Sequence, residues 1–318
     1  MRERFSRVGE KFENFFLAPA SPLPLAVLRI SLVLVLLLQA FLLRDSVVTF
    51  LSRSGILQGP IADTLRMQDT PQVGWIADWL APFGVSEIQT LYAVCFAYVM
   101  SLLFLGLGFF TRVSAVTAWL LHWTLLTTGF SSIYGVDLYA HVFLFYLMVA
   151  PCGRALSLDA YFAKEPLAGR ASSGARLALR VMQLHLCISY FASAVEKLQG
   201  EQWRTGEVIW RMFSLPFFAQ FNMAWVAHWQ SLLLLGAWST IFLEGLYFIF
   251  IWPNATRRLW LAGIVGLHLG IAVLMGLHLF GLIMCAFSLS VFAMPSEPSV
   301  ALERSREDVT STAPAASF

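Results

Sequence analysis

Lys197 closes a long apolar run, 177-LALRVMQLHLCISYFASAVEKLQG-200, that also carries Arg180, Gln183, His185, Tyr190 and Glu196. An ionisable side chain in a segment long enough to cross a bilayer costs about 2.5–3.5 kcal/mol on insertion scales, so it calls for a partner, a water-filled cavity or a chemical task. Gln183, Tyr190 and Lys197 are spaced by seven, nearly two helical turns, and so form one stripe with a small drift; Arg180 lies at its edge. His185, Ser189 and Glu196 point to another side. A helix polar on two faces belongs inside a bundle rather than against lipid. A desolvated lysine can serve as a general base, while a lysine at a helix end can equally snorkel to headgroups.

A second constellation opens 134-YGVDLYAHVF-143. Asp137 and His141 are i and i+4, which predicts that their side chains meet on one face. A carboxylate beside an imidazole orients it and raises its basicity, which suits proton transfer; a structural hydrogen bond with Asp137 capping the helix is the alternative. Glu244 lies deep in 241-IFLEGLYFIF-250 and must be paired or protonated. His268, in 266-GLHLG-270, is flanked by glycines that would allow close helix approach. An interhelical Glu–His or Glu–Arg bond is the plain expectation. His122, His228 and His278 show no polar partner in the sequence and read as structural or interfacial. No H-x-x-H, HExxH or Cys/His cluster occurs, so no metal site is expected. Cys95, Cys152, Cys187 and Cys285 form no CxxC pair and read as small apolar residues.

These residues must be positioned by a membrane scaffold. Of 318 residues, 58% are hydrophobic and 13% charged, with a mean hydropathy of +0.71. Apolar runs near 20 residues match the length that crosses about 30 Å of hydrocarbon as helix. A closed barrel would need short alternating segments, whereas 32-LVLVLLLQAFLL-43 is apolar on every face. The chain therefore reads as an all-α, polytopic membrane helical bundle of about eight spans: 24–43, 88–108, 113–130, 137–151, 177–196, 231–252, 259–276 and 278–294. The last two form either a tight hairpin or one broken helix. Net charge of +2 and the lack of a basic stripe argue against a nucleic-acid partner. Membrane lipids are the first expected partners.

Three segments follow: 1–23, a cytoplasmic amphipathic segment without a cleavage site; 24–294, the transmembrane domain; and 295–318, a Pro/Ser/Ala-rich cytoplasmic tail expected to be disordered. With eight spans and the N-terminus inside, 13 Lys/Arg fall on the cytoplasmic side and 6 outside, which favours both termini in the cytoplasm. Residues 44–87 form a long exterior segment in which Trp75, Trp79 and Phe83 recur every four residues along one helical face. Residues 197–230 hold Trp203, Trp210, Trp225 and Trp229, with Pro216 breaking any helix. Both loops read as interfacial helices on the outer side, as plain membrane anchors or as a lid over a cavity.

Several stretches resemble the horizontally transferred transmembrane (HTTM) family, which is related to the transmembrane part of vitamin K-dependent gamma-carboxylase. They are 29-RISL-32, 53-RSGIL-57, 106-GLGFFTRVSA-115, 134-YGVD-137, 179-LRVMQLHLCISYFASAVEKLQGEQWRTGE-207, Glu244 followed by Arg257, and 268-HLGIAVLMGLHLFGLIM-284. The pattern Arg…Gln…Tyr…Lys-Leu…Trp…Gly is the most specific part, and the resemblance spans roughly residues 20–293. It implies Lys197 as a base that deprotonates a reduced quinone, with Asp137, His141 and Arg180 assisting. Gln183, Tyr190, Trp203, Glu244 and His268 would line a substrate cavity opening beneath the Trp-rich loops. Asp137 stands where the carboxylase has an assisting histidine, and no large luminal domain appears in these residues. The cofactor is thus unknown, a quinone or hydroquinone being the candidate. Some short bacterial members resemble a maturation factor for a secreted peptide, so a non-enzymatic factor for peptide maturation or export is the alternative. The bacterial inner or plasma membrane is the expected location.

Overall fold

A computed structural model describes residues 2–56, 70–167 and 169–294, with side chains from residue 9 onward. Arg66 and the tail 295–318 lie outside the described residues. The architecture is an all-α membrane bundle, without a strand among the described residues. The helices are α1 (Arg2–Leu17), α2 (Leu23–Leu43), α3 (Val47–Leu51), α4 (Val73–Leu80), α5 (Glu87–Leu107), α6 (Thr111–Thr128), α7 (Gly135–Val149), α8 (Leu158–Phe162), α9 (Ser173–Gln199), α10 (Glu201–Arg204), α11 (Glu207–Ser214), α12 (Gln230–Gly245), α13 (Tyr247–Phe250), α14 (Asn254–Leu274) and α15 (His278–Phe292).

Among the described residues, four segments are long and apolar enough to cross a membrane: Leu23–Leu51, Glu87–Leu107, Ser173–Gln199 and Asn254–Leu274. Helices α7 and α15 are shorter and equally apolar. Each of the eight apolar runs is helical, and the run 231–252 breaks at Leu246 into α12 and α13. The core is a continuous cluster built on Leu25, Leu28, Leu32 and Leu36 of α2, Phe143 and Leu147 of α7, Met182 and Leu186 of α9, and Phe287 of α15.

Local chemistry sets the helix ends. Ser86 Oγ accepts from Gln89 N while the Gln89 side chain accepts from Ser86 N, a reciprocal box that starts α5. Gly108, at φ 67°, ends it in the left-handed conformation that glycine adopts without steric cost. Ser172 caps α9, and its backbone pairs with Ala20, which ties the N-terminal segment to that helix. Helices α14 and α15 form a hairpin rather than one broken helix, turned at Gly276 with φ 69°.

The close approach in that hairpin is not at the glycines flanking His268. A Cβ at Gly266 or Gly270 would meet nothing within 4 Å. A Cβ at Gly281 would lie 2.6 Å from the His268 carbonyl oxygen and 2.7 Å from Ala272 Cβ. The small residue that lets the two helices touch is therefore on α15. Spacing around His268 pointed to the wrong helix because a glycine's use depends on which face meets a neighbour.

Arg29 is fully buried in α2 and works structurally. Its guanidinium donates to the carbonyls of Cys152 at 2.6 Å and Leu156 at 2.5 Å, binding α2 to the α7–α8 turn. Asp159 anchors the same region by accepting from Phe110 N, Thr111 N and Thr111 Oγ1.

Candidate functional site

Helix α9 carries Lys197 in its last turn, and Glu244 stands near the end of α12. Lys197 Nζ donates to Glu244 Oε2 at 2.6 Å and to Ser193 Oγ at 2.5 Å, and it lies 5.1 Å from the centre of the Trp203 ring. The two charged side chains are only 16% and 7% exposed. Lys197 therefore does not snorkel to headgroups. Beyond it the chain turns back through α10 and α11 onto the first half of α12: Trp238 Nε1 donates to Arg204 O at 3.3 Å, and Gly206 packs against the backbone of Leu233 and Leu234. The Trp203 ring of α10 lies against the ammonium. Glu244 pairs with lysine, not with a histidine or arginine; Arg257 instead donates to the carbonyls of Ile251 and Trp252.

Nearly two helical turns deeper lies a second polar pair. Tyr190 Oη and His268 Nε2 are 2.8 Å apart, joining α9 to α14, and His268 Nδ1 has no hydrogen-bond partner. Tyr247 packs on Tyr190 with ring centres 4.6 Å apart. Its hydroxyl and Ser288 Oγ are close enough to influence each other, yet neither reaches a partner at hydrogen-bonding geometry. Tyr139 of α7 completes this side, lying 6.0 Å from the Phe280 ring and within electrostatic reach of Glu244. The structure thus gathers Lys197, Glu244, Trp203, Tyr190 and His268 into one cluster. A proton can be carried there on the amine, the carboxylate or the imidazole.

Arg180 and Gln183 stand elsewhere. They sit about 20–26 Å below Lys197 on the same helix, at 1.5 Å per residue. Arg180 donates to Phe15 O at 3.1 Å and to Gln183 Oε1 at 2.9 Å, with its guanidinium 4.3 Å from the Phe15 ring centre. Gln183 in turn donates to Val291 O at 2.6 Å. The pair clamps α1 and α15 to α9. A seven-residue stripe shares a face, but a face as long as this one serves different neighbours at its two ends.

Asp137 and His141 do not meet. Asp137 accepts from Gln39 Nε2 at 2.6 Å and from Tyr134 N at 3.0 Å. His141 instead stacks against α6, with its ring centre 5.0 Å from Trp119 and 5.6 Å from His122. The i,i+4 spacing made a contact available, but the amide of α2 and the rings of α6 offered each side chain a better one. Asp137 is both the helix-start acceptor and a wall of a cavity of about 570 Å³ between α2, α3, α5, α6 and α7. Gln39, Tyr98, His122 and Tyr134 line that cavity; the rest is mostly apolar. Burial, with Asp137 adding to it, pushes the Tyr134 hydroxyl up to about 12, so it stays a neutral donor.

Gln39 and His122 escaped the sequence reading. Gln39 is the single polar residue in 32-LVLVLLLQAFLL-43, which is the signal that could have found it. His122, read as structural, is 5% exposed and lines the cavity.

The exterior segment 44–87 lines this cavity through Arg44, Ser46, Val47, Phe50 and Leu51, but none of its described tryptophans does. Trp75, Trp79 and Phe83 project from α4 and the turn after it and are exposed. Trp225 lines a separate apolar pocket of about 350 Å³ with Ile209 and Met223. Arg53 holds α4 by a two-pronged contact to Asp78, 2.7 Å on each arm. That hydrogen bond keeps the Asp78 carboxyl below the usual carboxylate range. No group of three or more His, Cys, Asp or Glu suited to a metal occurs among the described residues.

Residues 69–296 match the HTTM domain family. No curated protein and no solved structure matches the chain.

Proposed function

The chain belongs to the HTTM domain family, and we propose that it is a membrane-embedded enzyme acting on a lipid-soluble substrate of the quinone class, with Lys197 as the base. The observation that carries this reading is the Lys197–Glu244 contact of 2.6 Å beneath Trp203. A charged pair taken out of water is often no more stable than an apolar pair of the same volume, so its presence favours a task. Proton transfer from Lys197 to Glu244 leaves a neutral amine and a neutral acid. The amine then takes the hydroxyl proton of a reduced quinone, giving the quinol anion and restoring the ammonium. Tyr190 and His268 behind the pair offer a further proton acceptor. In this reading all eight helical runs span, residues 24–294 form the working domain, both termini face the cytoplasm and the Lys197 end faces outward in a bacterial inner membrane.

Mass spectrometry of quinones retained by the purified protein, wild type beside Lys197→Ala, tests the reading. A quinone held by the wild type and lost from the variant supports it. Equal, nonspecific phospholipid in both rejects it in favour of a factor for maturation or export of a secreted peptide.

A further inference from the structure

We infer that the cavity between α2, α3, α5, α6 and α7 binds, head first from the bilayer, an uncharged apolar molecule ending in a hydroxyl group, which donates to Asp137. No residue of the Lys197 cluster lines this cavity, so the inference stands apart from the proposed reaction.

The polar pole of the cavity defines the head. An ionised carboxylate only accepts, with about four lone-pair sites. Each Asp137 oxygen already takes one donor, Gln39 Nε2 at 2.6 Å and Tyr134 N at 3.0 Å, which leaves acceptor capacity turned to the cavity. His122 lines the same space and is 5% exposed. Tyr98 lines it as well, within electrostatic reach of Asp137. A polar group buried without a partner is costly, so a ligand able to satisfy these groups gains affinity.

Head chemistry follows from what the pole offers. A carboxylate or phosphate would bring only acceptors to the accepting oxygens of Asp137. Among the described residues, the cationic side chain of the lining, Arg44, is already bonded to Phe41 O and Asp45. An ammonium would suit Asp137 but accepts nothing from Tyr98 or His122. A hydroxyl does both, donating to the carboxylate and accepting from a neighbouring donor.

The rest of the cavity defines the body and the route. Its volume, about 570 Å³, is that of a small-molecule site. Away from the pole the walls are apolar, and three of the lining residues, Leu43 of α2 with Tyr92 and Phe96 of α5, are exposed on the lipid-facing surface. An apolar tail can therefore lie between α2 and α5 and enter sideways from the membrane.

The test uses the full chain in phosphatidylcholine nanodiscs with radiolabelled farnesol as probe. Saturable binding is expected, displaced by unlabelled farnesol and at least about tenfold less well by farnesyl methyl ether, which lacks the donor. Asp137→Asn should weaken binding by a similar factor. Ala40→Trp, which fills the cavity, should abolish it; Ala40→Leu serves as the milder plug should the tryptophan variant misfold. Lys197→Ala, which addresses the other cluster, should leave farnesol binding in place. Displacement by 1-monooleoylglycerol would assign the natural hydroxyl to a glyceride, and its failure to a free alcohol. Ether binding as tight as the alcohol, farnesylamine binding tighter, or binding unchanged in both Asp137→Asn and Ala40→Leu would overturn the inference.

Discussion

Asp137 and Tyr139, two residues apart at the start of α7, face two different sides of the bundle. Asp137 lines the apolar cavity with Gln39, while Tyr139 turns to Phe280 and the field of Glu244. Two steps along a helix rotate a side chain by about 200°, so one turn of α7 is the partition between cavity and Lys197 cluster.

The Lys197–Glu244 pair makes the first prediction. Lys197→Met or Glu244→Leu alone leaves one buried charge without its partner and should cost about 3–5 kcal/mol. The double variant removes both charges and should recover most of that loss. Thermal denaturation of the four proteins, analysed as a double-mutant cycle, reads the coupling directly. Strictly additive single effects would mean that the two side chains do not interact in the membrane-bound protein.

Arg29 makes the second. Replacing it with methionine leaves the buried carbonyls of Cys152 and Leu156 without a donor, at about 1–3 kcal/mol each. Cys152, now 1% exposed, should become reactive to a membrane-permeant maleimide in Arg29→Met and stay protected in the wild type. Equal labelling of both proteins would rule out this role for the guanidinium.

Much of the scaffold was legible because lipid imposes a blunt rule: each apolar run must form a helix to satisfy its backbone. The long-range pairs were not legible. Lys197 and Glu244 are 47 residues apart, and spacing along one helix says nothing of which neighbour a side chain meets. Reasoning within a helix also misplaced Asp137 with His141, since Gln39 and the α6 rings lay outside its view. Arg180 was read with Lys197 because both share a stripe, though their partners belong to α1 and α12.

Glycine substitutions separate the hairpin geometry from the sequence expectation. Gly281→Ala would press a methyl group onto the His268 carbonyl and Ala272, forcing α14 and α15 apart at about 1–3 kcal/mol. The shift also pulls His268 from Tyr190. Gly270→Ala meets open space and should be neutral or stabilising by up to about 1 kcal/mol, through helix propensity. Melting temperatures of the two variants decide the matter; the reverse order would place the helix contact at the glycines beside His268.

The Arg53–Asp78 contact gives α4 a pH dependence whose sign is fixed. Asp78 is held below the usual carboxylate range by its hydrogen bond to Arg53. The folded form therefore keeps its charge when an unfolded aspartate, near about 3.9, begins to take up a proton. The stabilisation is fully present above that value and is lost as pH falls through the lower, folded one. Both side chains are open to solvent, so the effect is local and weakened by salt. Trp75 and Trp79 sit on the same helix, exposed, and report its release. With Trp75 and Trp79 as the only remaining tryptophans, their fluorescence should stay constant from pH 7 to about 4.5 and change below the aspartate range. Asp78→Asn should show the acid-like signal already at pH 7. A variant spectrum identical to wild type at pH 7, with the same acid transition, would show that α4 is held without this ion pair, by contacts such as its packing against α5 and the bond from Val73 N to Thr128 Oγ1.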